Sequence, residues 1–178
     1  MSLNKNTGIL IDRAINELRT GRPIVLEEKG NYWIFYNIEH ATKSIINKLK
    51  TIQDKETYLL IKKKKAKQLL PIKSNSNIFF QVNSNFNHSK FQNLFLNPAN
   101  KNNILNLKTL NPMKSKLFHN YALELSKNAK LIPSLIFKKV KSKFNDDIDS
   151  VLSDMGLLKF NYSDLINQNK HISDSIKL

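Results

Sequence analysis

Apolar residues recur at Leu10, Ile11, Ala14, Ile15 and Leu18, a spacing that lines one face of a helix and predicts one over residues 8–20. Gly21 and then Pro23 mark its end. The period then shortens. Ile24-Val25-Leu26-Glu27-Glu28 reads as a short strand, Lys29-Gly30-Asn31 as a turn, and Tyr32 to Tyr36 as a second strand, which makes a hairpin. A helix over 39–49 turns Ala41, Ile45, Ile46 and Leu49 inward, 57–61 is a strand, and 62–70 is a helix ended by Pro71. Residues 73–112 are rich in Asn and Ser. Within them only Ile78 to Val82 is strand-like, Phe91 to Leu96 is apolar without a readable type, and the rest predicts long loops. Next come a helix over 115–131 with Leu117, Phe118, Tyr121 and Leu125 facing in, a stop at Pro133, and a strand over 135–140. A helix over 147–155 stopped by Gly156, a strand over 157–160 and a helix opened by Ser163 complete the series. Strand, helix, strand with short links predicts a right-handed βαβ crossover between 135–140 and 157–160.

These elements predict an α/β (α+β) fold, a mixed sheet flanked by helices. At 178 residues the chain fits one domain, over 1–170, with a tail over 171–178. Hydrophobic residues make up 40% and Pro plus Gly total only 9, a globular balance rather than a disordered one. No run of 18 apolar residues appears and the first seven residues lack an apolar signal region, so the expectation is a cytoplasmic protein with no membrane contact.

Charge changes the picture less than its size suggests. The formal net charge of +15 invites a polyanion. The excess is nearly all lysine, with Arg13, Arg19 and Arg22 the only arginines, alongside 24 asparagines and 19 isoleucines. Lys, Asn and Ile share A/T-rich codons, so drift in genome composition explains much of the bias without a partner. Arginine is the residue suited to bidentate phosphate and guanine recognition, and its scarcity weakens the case for nucleic acid. The run Lys62-Lys63-Lys64-Lys65 is the candidate phosphate-binding corner, and a strand-to-helix corner is also a place where lysines stand in water without a ligand.

The remaining motifs mostly exclude. With no cysteine, thiolate nucleophiles, disulfides, Fe–S clusters and Cys-ligated zinc are out. His40, His88, His119 and His171 show no metal-binding spacing, no serine sits in a nucleophile elbow, and the four glycines form no phosphate loop. Glu27 and Glu28 are adjacent on a strand, point to opposite faces and cannot share one site without a bulge. Trp33 and Tyr36 read as core or cross-strand residues rather than a base-stacking platform.

A colinear series of segments carries a resemblance. Ile11-Asp12-Arg13-Ala14-Ile15-Asn16-Glu17-Leu18-Arg19-Thr20-Gly21-Arg22-Pro23-Ile24-Val25-Leu26 resembles the opening of 3,4-dihydroxy-2-butanone 4-phosphate synthases, where a helix ending "A-L-x-x-G-R-x-V-x-V" enters the first strand. Tyr58 to Leu69 is similar to that family's strand and "T-R-E-R-A-x-x-L". Tyr121 to Ile136 is similar to "A-x-x-L-x-x-L-A-G-L-x-P-A-x-V", and Met155 to Ile166 to the terminal strand and "T-I-x-D-L-I". The closer resemblance is to the divergent form of this domain at the N-terminus of some GTP cyclohydrolase II proteins, whose second domain would begin about where residues 171–178 stand.

The resemblance implies the synthase sandwich, but its chemistry depends on an acidic loop "D-D-x-x-R-E-N-E-G-D" and a "G-H-T-E". These hold two divalent cations on ribulose 5-phosphate and move protons during its rearrangement. Glu27 and Glu28 match the first two acids, and Lys29-Gly30-Asn31 then turns straight into the next strand. Counted back from Pro133, "H-T-E" falls on Phe118, His119 and Asn120, none of which matches, and the one-residue displacement of His119 rotates it about 100° on a helix. The expectation is a degenerate riboflavin-pathway domain with no catalytic residues, no magnesium site and no cyclohydrolase zinc. Its role would be structural, as a homodimer or with a cyclohydrolase domain on another chain. The alternative is a basic module for a phosphorylated ligand or nucleic acid.

Overall fold

Five of the six strands bury side chains on both faces, so the sheet must be covered twice; the edge strand over 158–161 buries only Leu158 and Phe160. The computed structural model describes residues 3–51, 56–69, 76–82, 87–97, 113–140, 150 and 152–163. In chain order it contains α1 (Leu3–Arg19), β1 (Ile24–Glu28), β2 (Asn31–Asn37), α2 (Lys43–Thr51), β3 (Glu56–Ile61), α3 (Lys63–Leu69), β4 (Ile78–Val82), α4 (His88–Leu96), α5 (Leu117–Asn128), β5 (Ser134–Val140) and β6 (Leu158–Asn161). The strands form one sheet in the order β4-β3-β5-β2-β1-β6. All neighbours pair antiparallel except β1 and β6, so the sheet is mixed.

Each face carries its own core. Ile24, Leu26, Trp33, Phe35, Tyr58, Leu60, Phe79, Leu135 and Phe137 meet Ala14 and Leu18 of α1 and Phe118, Ala122 and Leu125 of α5. Val25, Ile34, Tyr36, Leu59, Phe80 and Ile136 meet Leu49 of α2, Ala66 of α3, Phe91 and Phe95 of α4, and Leu152. The domain is therefore a helix–sheet–helix sandwich, as expected from the sequence. Trp33 and Tyr36 are both core, on opposite faces. Among the described residues no helix is long and apolar enough to cross a membrane.

Several boundaries move. α1 starts at Leu3, five residues before the predicted start. It ends where Gly21, at φ +76°, donates to the Leu18 carbonyl, and a Cβ there would collide with the His40 carbonyl oxygen. α2 starts at Lys43 rather than residue 39, because Thr42 caps it, its hydroxyl accepting from the Ile45 N–H at 3.3 Å. Residues 91–96 belong to helix α4. On α5 the buried stripe is Phe118, Ala122 and Leu125, continued by Ala129 just after the helix, while Leu117 is 49% exposed, contrary to expectation. Leu117 is the first helical residue and lies outside that stripe.

The expected βαβ unit also changes. β5 and β6 run in the same direction but are not neighbours, because the β1–β2 hairpin stands between them. A two-residue turn closes that hairpin locally and claims the central positions first. Of the helix expected over 147–155, residues 150 and 152–155 fall among the described residues; 150 and 152–154 are helical and Met155 is in a turn. The expected long loop beyond residue 97, the helix opened by Ser163 and the tail lie largely or wholly outside them.

Candidate functional site

The candidate acids stand where the first hairpin turns. Lys29 and Gly30, at φ +49° and +73°, form a turn so short that Glu28 pairs directly with Asn31. No room is left for a longer acidic loop. Glu27 faces with Val25 and binds the Lys159 ammonium at 3.0 Å. Burial pulls the Lys159 pKa down, but its hydrogen bonds and attraction to Glu27 and Tyr32 outweigh this and raise it. Glu28 faces with Leu26 and binds Lys116 at 2.9 Å. The two carboxylates are thus committed on opposite sides of the sheet.

The matching positions on α5 diverge as well. Phe118 is fully buried, with ring centroids of Trp33 at 5.3 Å, Tyr162 at 6.0 Å and Phe137 at 6.2 Å. His119 closes the helix start: its Nδ1 accepts the Lys116 backbone N–H at 2.9 Å, the part a glutamate plays in a capping box. That bond assigns the proton of the neutral ring to Nε2, which has no hydrogen-bond partner among the described residues and lies among Phe79, Phe118, Phe137 and Trp33. Burial, with the Lys116 charge adding to it, lowers the His119 pKa to about 3. The imidazole is neutral at physiological pH and sealed from solvent. Asn120 turns elsewhere: its Oδ1 accepts from Asn77 Nδ2 at 2.9 Å, while Asn77 Oδ1 accepts the Lys63 N–H that opens α3.

The lysine corner lies at the opposite end of the sheet. β3 runs from Glu56, level with Lys139, to Ile61, level with Ser134, and Lys62 follows. Lys62 binds Glu124 at 3.0 Å, Lys63 and Lys64 are exposed, and Lys65 is partly buried, which lowers its pKa. Successive residues on a helix point about 100° apart, so these ammoniums fan out rather than converge.

What the structure brings together was not singled out in the sequence. Trp33 pairs across the sheet with Leu26 on one side and Lys139 on the other, and Lys139 pairs with Glu56. The Lys139 ammonium lies 5.6 Å from the Trp33 ring centroid and 3.6 Å from Glu56, which also accepts the Tyr58 hydroxyl at 2.9 Å. Lys116 approaches the same indole from α5, at 5.7 Å. Two lysine–glutamate pairs therefore close on one buried tryptophan. Alternation hints at a row of Trp33 and Lys139, but only strand order shows that they are neighbours.

No protein-family model and no curated protein matches this sequence. Solved structures do. The synthase of Candida albicans is similar at TM-score 0.61 and 14% identity, over 89% of this chain and 96% of that one. A synthase described in complex with two magnesium ions is similar at TM-score 0.62 and 11% identity, over 90% and 96%. RibBX from A. baumannii, described as a two-domain synthase, is similar at TM-score 0.59 and 13% identity over 88% of this chain, which spans 56% of its length. With TM-scores of 0.61 and 0.62 over 89% and 90% of its length, the chain has the 3,4-dihydroxy-2-butanone 4-phosphate synthase fold.

Proposed function

We propose that this chain is a riboflavin-pathway domain that has lost synthase chemistry and retains a structural role, holding a dimer or docking a cyclohydrolase II domain carried on another chain. The observation that carries the reading is the commitment of both remnants of the site: Glu28 is paired to Lys116, and His119 is spent on capping α5. General acid–base chemistry needs a titratable group near the operating pH within reach of substrate. His119 titrates at about 3 behind aromatic rings, and Glu27 and Glu28 face opposite sides of the sheet.

Magnesium, which one similar structure holds, does not fit these residues. Divalent cations take several converging oxygen ligands. Here the strand-end carboxylates diverge, Glu28 already faces an ammonium, and His119 Nδ1 accepts a backbone proton.

The test is an assay with ribulose 5-phosphate and magnesium. The expected result is no formate; magnesium-dependent formate overturns the reading. The structural role is tested by sedimentation at two ionic strengths. Two chains of charge +15 repel, so association strengthens with salt, and a monomer at micromolar concentration in both buffers overturns the dimer.

A further inference from the structure

We propose that this domain carries its own cations at the strand-end site: the Lys116 and Lys139 ammoniums, seated against Glu28 and Glu56 on the two sides of Trp33, do without a divalent ion there. The inference rests on the loss of synthase chemistry and explains how the site stays closed without it. A strand-end carboxylate facing the start of α5 needs a positive charge. Glu28 is only 15% exposed, so leaving its charge unpaired is costly, and Lys116 supplies the counter-charge from the residue preceding α5.

The arrangement is built rather than incidental. Lys139 reaches Trp33 and Glu56 through direct cross-strand register, so neither contact depends on a wandering side chain. Lys116 is fixed at its backbone by the bond to His119 Nδ1, and its ammonium lies 5.6 Å from the Phe118 ring as well as 5.7 Å from Trp33. An ammonium against an indole face is attracted by the ring quadrupole, most strongly when partly desolvated. A divalent ion entering here would have to displace an ammonium already paired with Glu28, while the Lys139 ammonium stands 5.6 Å from the same indole. Electrostatics thus excludes the ion that the carboxylates would otherwise attract.

Trp33 is the only tryptophan, so its fluorescence reports this site directly. The probe is manganese, a paramagnetic quencher when bound beside an indole, added to the intact protein at millimolar concentration, with magnesium and EDTA as parallel arms. No quenching beyond collisional, and a Tm unchanged within 1 °C in all three arms, is the expected result. Lys116→Met keeps an apolar stem and removes the charge; it shifts the Trp33 emission and lowers Tm by about 3 °C, on the scale of a lost charged contact in a domain this size. Adding Glu28→Gln to Lys116→Met restores most of that Tm. Saturable manganese quenching, or a magnesium-dependent rise in Tm, overturns the inference. So does a Lys116→Met protein with unaltered emission and Tm. Quenching without turnover of ribulose 5-phosphate overturns this inference alone, whereas turnover overturns the reading beneath it and this inference with it.

Discussion

Acid should unfold this protein through two buried imidazoles. His119, 1% exposed, has its pKa lowered to about 3 by burial and by Lys116, and His88, 8% exposed, to about 4 by burial and by Lys50. The unfolded chain protonates both near 6.5, so between that value and the folded values the unfolded state binds more protons. Stability is then present in full above pH 6.5 and falls as pH drops toward 4. Each proton contributes about 1.4 kcal/mol per pH unit once its unfolded group is charged. At pH 5 the two histidines together cost roughly 4 kcal/mol, a large share of the 5–15 kcal/mol typical of a domain. The perturbation is His119→Asn, which retains an acceptor for the Lys116 N–H and cannot titrate. Urea unfolding followed by Trp33 emission at pH 7.5, 6.0, 5.5 and 5.0 gives the slope of stability against pH. Near pH 5 it is about 2.7 kcal/mol per unit for the parent and about half that for His119→Asn. Glu124, whose carboxyl is held below the usual range by Lys62 and Lys127 despite burial, contributes only at lower pH. Equal slopes in the two proteins would show that protons reach His119 in the folded state, and the sealed aromatic box would be refuted.

Three further outcomes follow from the packing. Phe118→His with Asn120→Glu, which writes the matching motif letters back, yields no activity with ribulose 5-phosphate and a less stable protein by about 2–4 kcal/mol. A polar ring then replaces a fully buried phenyl, and the longer, charged Glu side chain shifts the acceptor of the Asn77 amide; denaturation and formate release check both. Gly21→Ala costs about 2 kcal/mol or more, since φ is +76° and the new Cβ meets backbone at His40 rather than a movable side chain, and a lowered urea midpoint reads it out. Any nucleic-acid affinity is weak and collapses between 50 and 200 mM salt, because exposed Lys63 and Lys64 offer phosphate contacts without base readout. A complex stable at the higher salt, measured by fluorescence anisotropy, contradicts this.

Local physics is legible in the chain by itself. Apolar runs bounded by turn formers placed β1 at Ile24–Glu28 and β4 at Ile78–Val82 to the residue, since strands buried on both faces leave such runs rather than an alternation. Adjacent glutamates on a strand had to diverge, and Glu27 and Glu28 do. The mismatch at 118–120 was visible as letters alone. What sequence could not supply was neighbourhood. Leu117, Tyr121 and Leu125 have as good a spacing as Phe118, Ala122 and Leu125, and only the sheet beneath α5 selects the second set. The start of α2 shifted because one hydroxyl, Thr42, outcompeted a periodic pattern that began earlier. The strand–helix–strand pattern gave β5 and β6 the same direction but not the hairpin that stands between them, because pairing partners are chosen by long-range closure, about which a period carries no information. The same holds for the site. Trp33, Lys116, Lys139, Glu28 and Glu56 span more than a hundred residues of chain, and apart from Glu28, which matches an acid of the synthase loop, each alone reads as an ordinary core or surface residue. Cross-strand register and the docking of α5 put two ammoniums on one indole, and tertiary structure alone sets those distances.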